Sequence, residues 1–296
     1  MKLFYLGPEH SFSHIAAKIN MHRSDTEIGY LPKVPLESVV TSLRDPGEES
    51  ALAIVPYYNY LEGLVQETLD LIYENQVSIV GSQRVPIRFC LGGYVRSAPP
   101  DYITSHPKAL AQSSEYLRRH YPNIPHITAA STTEGVKQVH DDRKGLVIAS
   151  LEGLRAYDIP VVAEDVGNTR HGKANYTDFF LLSRSPTADG ADTKQYLTMV
   201  AVTPHIDRVG LLEEILFQIA YHDLNIVKIH SRPAIDDVQF ASGEPQMFYL
   251  EIMCHARQEN FRRCVDALQY KFSQHGGCCD AVRVLGSYPA PRLTTA

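Results

Sequence analysis

The sequence lacks the features that would assign it to a membrane or to a nucleic acid. No apolar run approaches the roughly 18 residues that a membrane-spanning helix needs, and the first residues carry no apolar segment typical of a secretion signal. No block of basic residues occurs, and the formal net charge is −6 at pH 7. We therefore expect a soluble protein with neither a membrane nor a nucleic acid as a partner.

Cysteine is scarce as well, and its arrangement excludes the usual cysteine-based sites. The five cysteines form no C-x-x-C pair and no spacing typical of metal ligands, and their odd number speaks against a disulfide framework. The adjacent pair Cys278 and Cys279 is interpreted as two thiols without a role. These absences predict a cytoplasmic protein without a metal site, and nothing else in the sequence indicates a cofactor.

Apolar periodicity is present along most of the 296 residues, a length sufficient for two domains with sizeable cores. In the first part, short apolar runs alternate with helical patterns. The predicted strands are Lys2–Leu6, Leu52–Val55, Val77–Val80, Pro86–Gly92, Ile127–Ala129, Leu146–Ala149 and Asp178–Ser183, and the predicted helices are Ser11–Asn20, Val65–Tyr73, Pro107–His120 and two that begin at Thr133 and Leu151.

This alternation predicts an α/β domain over residues 1–184, with βαβ units on a largely parallel sheet. The order of the elements indicates two lobes, one of about 1–84 with 170–184 and the other of 85–169. A cleft between such lobes binds small anions through strand ends and helix N-termini.

Residues 185–194 are rich in Ser, Pro, Gly and Asp and are interpreted as a linker. Residues 195–296 then show a β-α-β-β-α-β order, which predicts a ferredoxin-like α+β domain. Its predicted elements are Gln195–Val202, Gly210–His222, Ile226–His230, Phe248–Cys254, Glu259–His275 and Ala281–Leu285.

The segment from Asn175 to Phe180 resembles the Asn-x-Thr-Arg-Phe segment of prephenate dehydratases, which convert prephenate into phenylpyruvate. Asp178 stands where that family has arginine. Further segments resemble the family in the same order, and they are 7–14 (GPEHSFSH), 55–63 (VPYYNYLEG), 105–110 (SHPKAL), 131–136 (STTEGV) and 149–150 (AS). The C-terminal region resembles a regulatory ACT domain through 207–212 (DRVGLL), 230–233 (HSRP) and 284–289 (VLGSYP). The resemblance implies a two-lobed, periplasmic-binding-protein-like catalytic domain followed by the ferredoxin-like ACT domain.

In catalysis, the resemblance implies that Thr177 acts as the general acid on the ring hydroxyl of prephenate, assisted by Asn59. Tyr58 replaces a glutamate of the family and Tyr60 a serine. Alternation along the strand predicts that both phenols lie on one side, where they pack on the substrate ring and deliver a proton to a ring carbon. If Asp178 faces the substrate, it repels a carboxylate and favours loss of CO2.

The altered glutamate, serine and arginine positions resemble a related group of this superfamily, the non-aromatising prephenate decarboxylases. We therefore favour a prephenate decarboxylase, and this resemblance implies a lyase that retains the hydroxyl and produces dihydro-4-hydroxyphenylpyruvate for antibiotic-type amino acids. Two alternatives remain open. The first alternative is a divergent prephenate or arogenate dehydratase. The second is a catalytically inactive homologue that senses an aromatic amino acid.

Candidate binding residues follow from the same segments. Hydroxyls at helix starts bind a carboxylate or simply cap the helix, His10 is a candidate acid or base, and Arg88 either replaces the missing guanidinium or lies in solvent. The substrate-binding candidates are His10, Ser11, Arg88, Ser131, Thr132, Ser150 and Phe179.

The resemblance also implies an aromatic amino-acid pocket, typically for phenylalanine, in the ACT-like domain at a dimer interface. Its candidate residues are Gly210, Leu211, Leu212, Ser231 and Arg232. A purely dimerising domain is the alternative, and both readings predict a homodimer or homotetramer.

Overall fold

The computed structural model describes residues 1–21, 27–95, 99–170, 172–186, 195–204, 208–235, 246–273 and 281–291. Most of the proposed linker (187–194), Asp207 and the Cys278–Cys279 pair lie outside these ranges. The division of the chain at 185–194 therefore stays a prediction.

The strands and helices alternate through the first part of the chain as expected. The strands are β1 (Lys2–Leu6), β2 (Gly29–Lys33), β3 (Leu52–Asn59), β4 (Gly63–Leu64), β5 (Ser78–Pro86), β6 (Cys90–Tyr94), β7 (Ile103–Ser105), β8 (His126–Thr128), β9 (Gly145–Ala149), β10 (Val161–Ala163), β11 (Tyr176–Ser183), β12 (Tyr196–Val202), β13 (Ile226–Pro233), β14 (Gln246–Ile252) and β15 (Val282–Pro289). The helices are α1 (Phe12–Met21), α2 (Leu36–Thr41), α3 (Gln66–Asn75), α4 (Pro107–Gln112), α5 (Ser114–His120), α6 (Thr132–Asp142), α7 (Leu151–Ala156), α8 (Leu211–Tyr221) and α9 (Glu259–Phe272), with a 3₁₀ turn at Ser42–Arg44.

Two sheets form the two lobes predicted from the sequence. In the first lobe, β1 pairs in parallel with β2 and β3, whereas β11 runs antiparallel between β3 and β5. The second lobe has the strand order β10-β6-β9-β7-β8. Both sheets contain antiparallel as well as parallel pairs, so the expectation of largely parallel sheets is only partly met. Because β11 returns to the first sheet, two chain segments cross between the lobes.

Five elements were not anticipated from the sequence, and one predicted helix is divided. Strands β7 and β10 have three residues each and β4 has two, β2 alternates only weakly in burial, and α2 has no polar cap before it, so none carries a strong periodic signal. The helix expected over Pro107–His120 is interrupted at Ser113, which stands at the N-cap position of the second of two short helices and makes no capping bond through its side chain.

The C-terminal strands have the ferredoxin-like order β13-β14-β12-β15, and all neighbouring pairs are antiparallel. The sequence did not predict that this sheet would continue into the first lobe through β15 and β5. Those strands meet at Gly286 and Ile79. Gly286 has φ +157°, and a Cβ there would lie 2.2 Å from the Ile79 carbonyl oxygen, so this close approach requires glycine.

The first sheet is buried on both faces, and the two faces have different neighbours. One face packs under α1 with a cluster that includes Leu3, Tyr5 and Phe179. The other face packs with α2, α3 and residues of the C-terminal sheet, in a cluster that includes Tyr57 and Phe180. Successive residues of β11 therefore point into different surroundings.

Candidate active site

The amide of Asn59 and the hydroxyl of Thr177 meet where β3 and β11 are paired. The two residues are register partners, and Asn59 Nδ2 donates a hydrogen bond to Thr177 Oγ1 at 2.9 Å. Asn59 Oδ1 accepts from the backbone N–H groups of residues 61 and 62, at 3.0 and 3.1 Å, which fixes the orientation of the amide. Because the Thr177 oxygen accepts from Asn59, its own proton remains available for donation to a substrate.

Helix α4 of the second lobe connects the two segments that carry this pair. Gln112 donates through Nε2 to Glu62, and its Oε1 accepts from Asn175 Nδ2 at 3.0 Å. Lys108 Nζ lies 3.0 Å from Glu62 Oε2. Glu62 follows Asn59 by three residues and Asn175 precedes Thr177 by two, so α4 holds both motifs across the lobe junction.

None of these supporting residues was singled out from the sequence. Asn175 begins the Asn-x-Thr segment, Glu62 lies in the 55–63 segment, and Lys108 lies in the 105–110 segment. Membership of these segments was the one signal that could have identified the three residues. Gln112 lies outside every matched segment, so no sequence signal indicated it. Asn175 is 5% exposed, and its Oδ1 has no hydrogen-bond partner among the described residues.

Asp178 does not offer a free carboxylate to the substrate, contrary to expectation. It is 2% exposed and forms a bidentate pair with Arg84 of β5, with distances of 2.7 Å from Nε to Oδ1 and 2.8 Å from Nη2 to Oδ2. Asp178 shares its face of β11 with Phe180, and its charge contributes to the raised pKa values of Tyr57 and Tyr288, which burial raises most. The carboxylate thus points towards the C-terminal strands.

Arg84 is the cation that neutralises Asp178, whereas Arg88, the candidate to replace the missing guanidinium, lies largely in solvent. Hydrogen bonding to Asp178 raises the pKa of Arg84, and the guanidinium carbon lies 3.9 Å from the centre of the Tyr176 ring. Arg88 is 70% exposed, with its Nε 4.0 Å from Asp165 Oδ1. The charge reversal read from the sequence is therefore neutralised locally by a neighbouring strand.

Tyr58 and Tyr60 contact different neighbours, and strand alternation does not relate them because β3 ends at Asn59. The Tyr60 ring stacks on Tyr176 with centroids 5.2 Å apart. Tyr58 has the Lys228 ammonium of β13 at 4.7 Å from its ring centre. Burial raises the pKa of Tyr176, and the charges of Asp178, Tyr58 and Tyr60 raise it further, whereas Arg84 lowers it.

The hydroxyl groups at the helix starts act as helix caps. Ser131 Oγ accepts from Glu134 N at 3.0 Å, Ser150 Oγ accepts from Gly153 N at 3.0 Å, and Ser11 Oγ accepts from His14 N at 3.3 Å. The predicted carboxylate-binding role of these hydroxyls therefore competes with bonds that they already make. Thr132 is the first residue of α6.

Two further candidates have roles that differ from those expected. Phe179 is 2% exposed and packs with Leu3 and Tyr5 beneath α1, so it is a core residue. His10 has φ +63°, and its carbonyl oxygen accepts from Ser150 Oγ at 3.2 Å, which joins the loop of the first lobe to the second lobe.

The candidate effector residues divide between two places in one chain. Ser231 and Arg232 line a cavity of about 240 Å³ between β13 and α3, together with Gln66, His230 and Tyr249. Arg232 pairs with Asp70 of α3. Gly210 (φ +87°), Leu211 and Leu212 belong to the start of α8 and are not among the residues lining this cavity.

Three histidines whose pKa values are lowered in the fold predict how stability depends on pH. Burial lowers the pKa of His14, His106 and His230, and a neighbouring lysine lowers each further. The unfolded chain therefore binds these protons at a higher pH than the folded chain, so their stabilisation is complete above about pH 6.5 and is lost as the pH falls through the folded pKa values. The urea midpoint should be lower at pH 5.5 than at pH 7.5. His230→Gln should reduce this difference, and equal midpoints for the parent protein would contradict the argument.

A two-lobed α/β fold with a hydrogen-bonded donor pair at the lobe junction is typical of an enzyme that encloses a small molecule. A family model for prephenate dehydratase matches residues 3–187. The prephenate dehydratase of Bacillus subtilis (strain 168) is 30% identical over 247 residues, covering 79% of this chain and 83% of that protein. The chain belongs to the prephenate dehydratase family. This is a family of lyase-type enzymes of aromatic amino acid biosynthesis.

Solved structures agree with this assignment at the level of the fold. The prephenate dehydratase from Arthrobacter aurescens in complex with L-Phe has a TM-score of 0.81 at 28% identity, covering 98% of this chain and 90% of that chain. GqqA, described as a novel type of quorum quenching acylase, has a TM-score of 0.78 at 20% identity, covering 98% of each chain. The likeness to GqqA is one of fold alone. Within the described parts of the chain, no helix has both the length and the apolar character of a membrane span.

Proposed function

We propose that this protein is a prephenate dehydratase that forms phenylpyruvate, CO2 and water. The observation that carries the proposal is the 2.9 Å hydrogen bond from Asn59 Nδ2 to Thr177 Oγ1, which leaves the threonine proton directed elsewhere. Loss of the ring hydroxyl needs such a donor, because hydroxide is a poor leaving group.

The reaction breaks two bonds of prephenate. The bond from the ring carbon to its carboxylate breaks and CO2 leaves, while its electron pair enters the ring. The bond from the opposite ring carbon to the hydroxyl breaks, and the departing oxygen takes a proton to leave as water. Thr177 donates to that oxygen, Asn59 orients the threonine, and solvent returns the proton afterwards.

The Asp178–Arg84 pair weakens the argument for decarboxylation without loss of the hydroxyl. That hypothesis depended on an unpaired carboxylate near the substrate, and the carboxylate is paired and directed towards the C-terminal strands. Thr177 and Asn59 keep the arrangement needed to donate a proton to the hydroxyl. Dehydration is therefore the better supported outcome.

The test is to incubate the purified protein with prephenate and to follow both prephenate and phenylpyruvate. Phenylpyruvate has a strong enolate absorbance in alkali and should appear in proportion to the prephenate consumed. Consumption above the spontaneous rate without that absorbance would support a non-aromatising decarboxylase instead. No consumption above that rate would support the inactive sensor.

Gln112 is expected to support turnover through position alone. Gln112→Met removes the bonds to Glu62 and Asn175 with little change in volume, so the segments that carry Asn59 and Thr177 lose a common anchor. We expect kcat to fall about tenfold, because small misplacement of catalytic groups is costly. Steady-state kinetics would measure this change.

Gln138→Met is the matched control for Gln112→Met. Gln138 also belongs to the second lobe, and its Oε1 accepts from Thr104 Oγ1 at 3.2 Å, away from Asn59 and Thr177. Its kcat should equal that of the parent protein. A Gln112→Met enzyme with unchanged kcat would show that α4 does not position the pair.

We also propose that residues 195–296 form an ACT-like domain that binds an aromatic amino acid and joins chains into a homodimer or homotetramer. The cavity lined by Ser231 and Arg232 supports the first part, and the exposed apolar side chains Val209, Phe217 and Tyr221 at α8 support the second. Calorimetry with phenylalanine and sedimentation velocity test the two parts. No heat of binding, or a monomer at every concentration, would overturn the corresponding part.

A further inference from the structure

Two histidines of the first lobe and one glutamate of the second lobe come together beside the loop that precedes α1. His10 lies in that loop, His14 lies in the first turn of α1, and Glu152 lies in α7. One potential ligand atom from each residue lies within 4.8 Å of the others. His10 Nδ1 is 3.8 Å from Glu152 Oε1, which is too far for a hydrogen bond.

The ring nitrogen of His10 in this cluster is buried without a hydrogen-bond partner among the described residues. The hydroxyl of Tyr5, which stacks on His14 at 4.8 Å between ring centres, is in the same condition. Buried polar atoms are nearly always paired, so unpaired ones call for an explanation. A cation coordinated by His10 Nδ1 would give that nitrogen a partner.

His14 is the one buried member of the three candidate ligands. It is 6% exposed, and burial lowers its pKa, as do Lys18 and His10, whereas Glu152 and Glu9 raise it. Two imidazoles and a carboxylate are ligands that zinc and related divalent transition metals prefer.

Two existing interactions compete with a metal ion. Lys18 Nζ lies 2.6 Å from Glu152 Oε1 and must release it, which its 39% exposed side chain permits. The His10 amide donates to His14 Nδ1 at 2.9 Å. If Nδ1 binds the metal, its lone pair no longer accepts this bond. If Nε2 binds the metal, Nδ1 carries the proton and again cannot accept, so the bond is lost in either case.

The backbone at His10 provides a matched variant. His10 has φ +63°, in the left-handed region that glycine adopts most readily. His10→Gly therefore removes the imidazole and suits this backbone conformation. Loss of metal binding in this variant is therefore separable from loss of folding.

We propose that His10, His14 and Glu152 bind one divalent transition-metal ion of the zinc class. The ion joins the two lobes, because the histidines belong to the first lobe and the glutamate to the second. This site is independent of the dehydratase proposal, since it does not include Asn59 or Thr177.

The test is calorimetric titration of chelator-treated protein with Zn²⁺, with Co²⁺ as a spectroscopic probe. Cys278 and Cys279 are replaced by serine in every sample, because thiolates also bind these ions. We expect one equivalent of Zn²⁺ to bind, visible Co²⁺ absorption bands to appear, and Zn²⁺ to raise the melting temperature. His10→Gly and Glu152→Gln should each weaken Zn²⁺ binding by at least about tenfold. Loss of a residue that only supports a metal ligand already costs about that much, and loss of a ligand itself should cost more.

His120→Gln serves as the control, because His120 lies in α5 against Tyr116, on a different element. It should bind Zn²⁺ as the parent does. The proposal is overturned if the parent binds less than one equivalent, or if His10→Gly binds as tightly as the parent. Equal weakening by His120→Gln would also overturn it, since binding would then be nonspecific.

Discussion

Thr177→Val should lower kcat for phenylpyruvate formation by about 10³-fold, within the usual range for loss of a general acid. Valine keeps the shape of threonine and removes only the hydroxyl. Thr177 is 7% exposed and accepts a hydrogen bond from Asn59, so its hydroxyl is ordered before the substrate arrives. KM should change less than kcat, because donation to the leaving oxygen strengthens as the carbon–oxygen bond breaks.

A second buried threonine controls for the change from hydroxyl to methyl. Thr104 is 0% exposed and bonds to Gln138 in the second lobe. Thr104→Val should keep kcat within about twofold, because Thr104 acts on no reacting group. If Thr177→Val also keeps its kcat, while circular dichroism shows the native fold, Thr177 is not the proton donor and the proposed mechanism fails.

Asp178→Asn should lower the free energy of unfolding by about 3 kcal/mol, because it leaves the Arg84 guanidinium partly buried without its counter-charge. Side chains at this pair are 3% exposed for Asp178 and 23% for Arg84. The product should remain phenylpyruvate, since the carboxylate points towards the C-terminal strands. Urea unfolding and product analysis measure the two effects separately.

Two comparisons make this prediction specific. In the double variant Asp178→Leu with Arg84→Met, no buried charge is left unpaired, so most of the lost stability should return. Glu259→Gln breaks an exposed pair with Arg263 four residues away and should change stability by less than about 0.5 kcal/mol. A phenylpyruvate yield that changes in Asp178→Asn alone would show that Asp178 faces the substrate after all.

The outcome at Asp178 shows why a motif departure is hard to interpret from sequence. The exchange of arginine for aspartate was read correctly, but its consequence depends on a residue 94 positions earlier. Arg84 and Asp178 are register partners on β5 and β11. Registers between strands distant in sequence follow from the assembled sheet, so no local pattern indicated that pairing.

The helix starts show the reverse case, in which local chemistry was sufficient. Ser131 and Ser150 were recognised as residues that begin helices, and each caps one as a side-chain acceptor. The alternation of strands and helices likewise predicted both lobes and the ferredoxin-like order. These signals are short-range, since capping and amphipathic periodicity depend on residues within a few positions of one another.

By itself, the sequence determined the class of fold, the family and the candidate pair Asn59 and Thr177. Periodicity, helix caps and motifs each depend on residues that are close together along the chain. Only the tertiary structure decided which side chains meet across long separations. It paired Asp178 with Arg84, connected both motifs through Gln112 of the other lobe, and gathered His10, His14 and Glu152. The physical reason is that strand register and lobe packing result from burial of the whole chain.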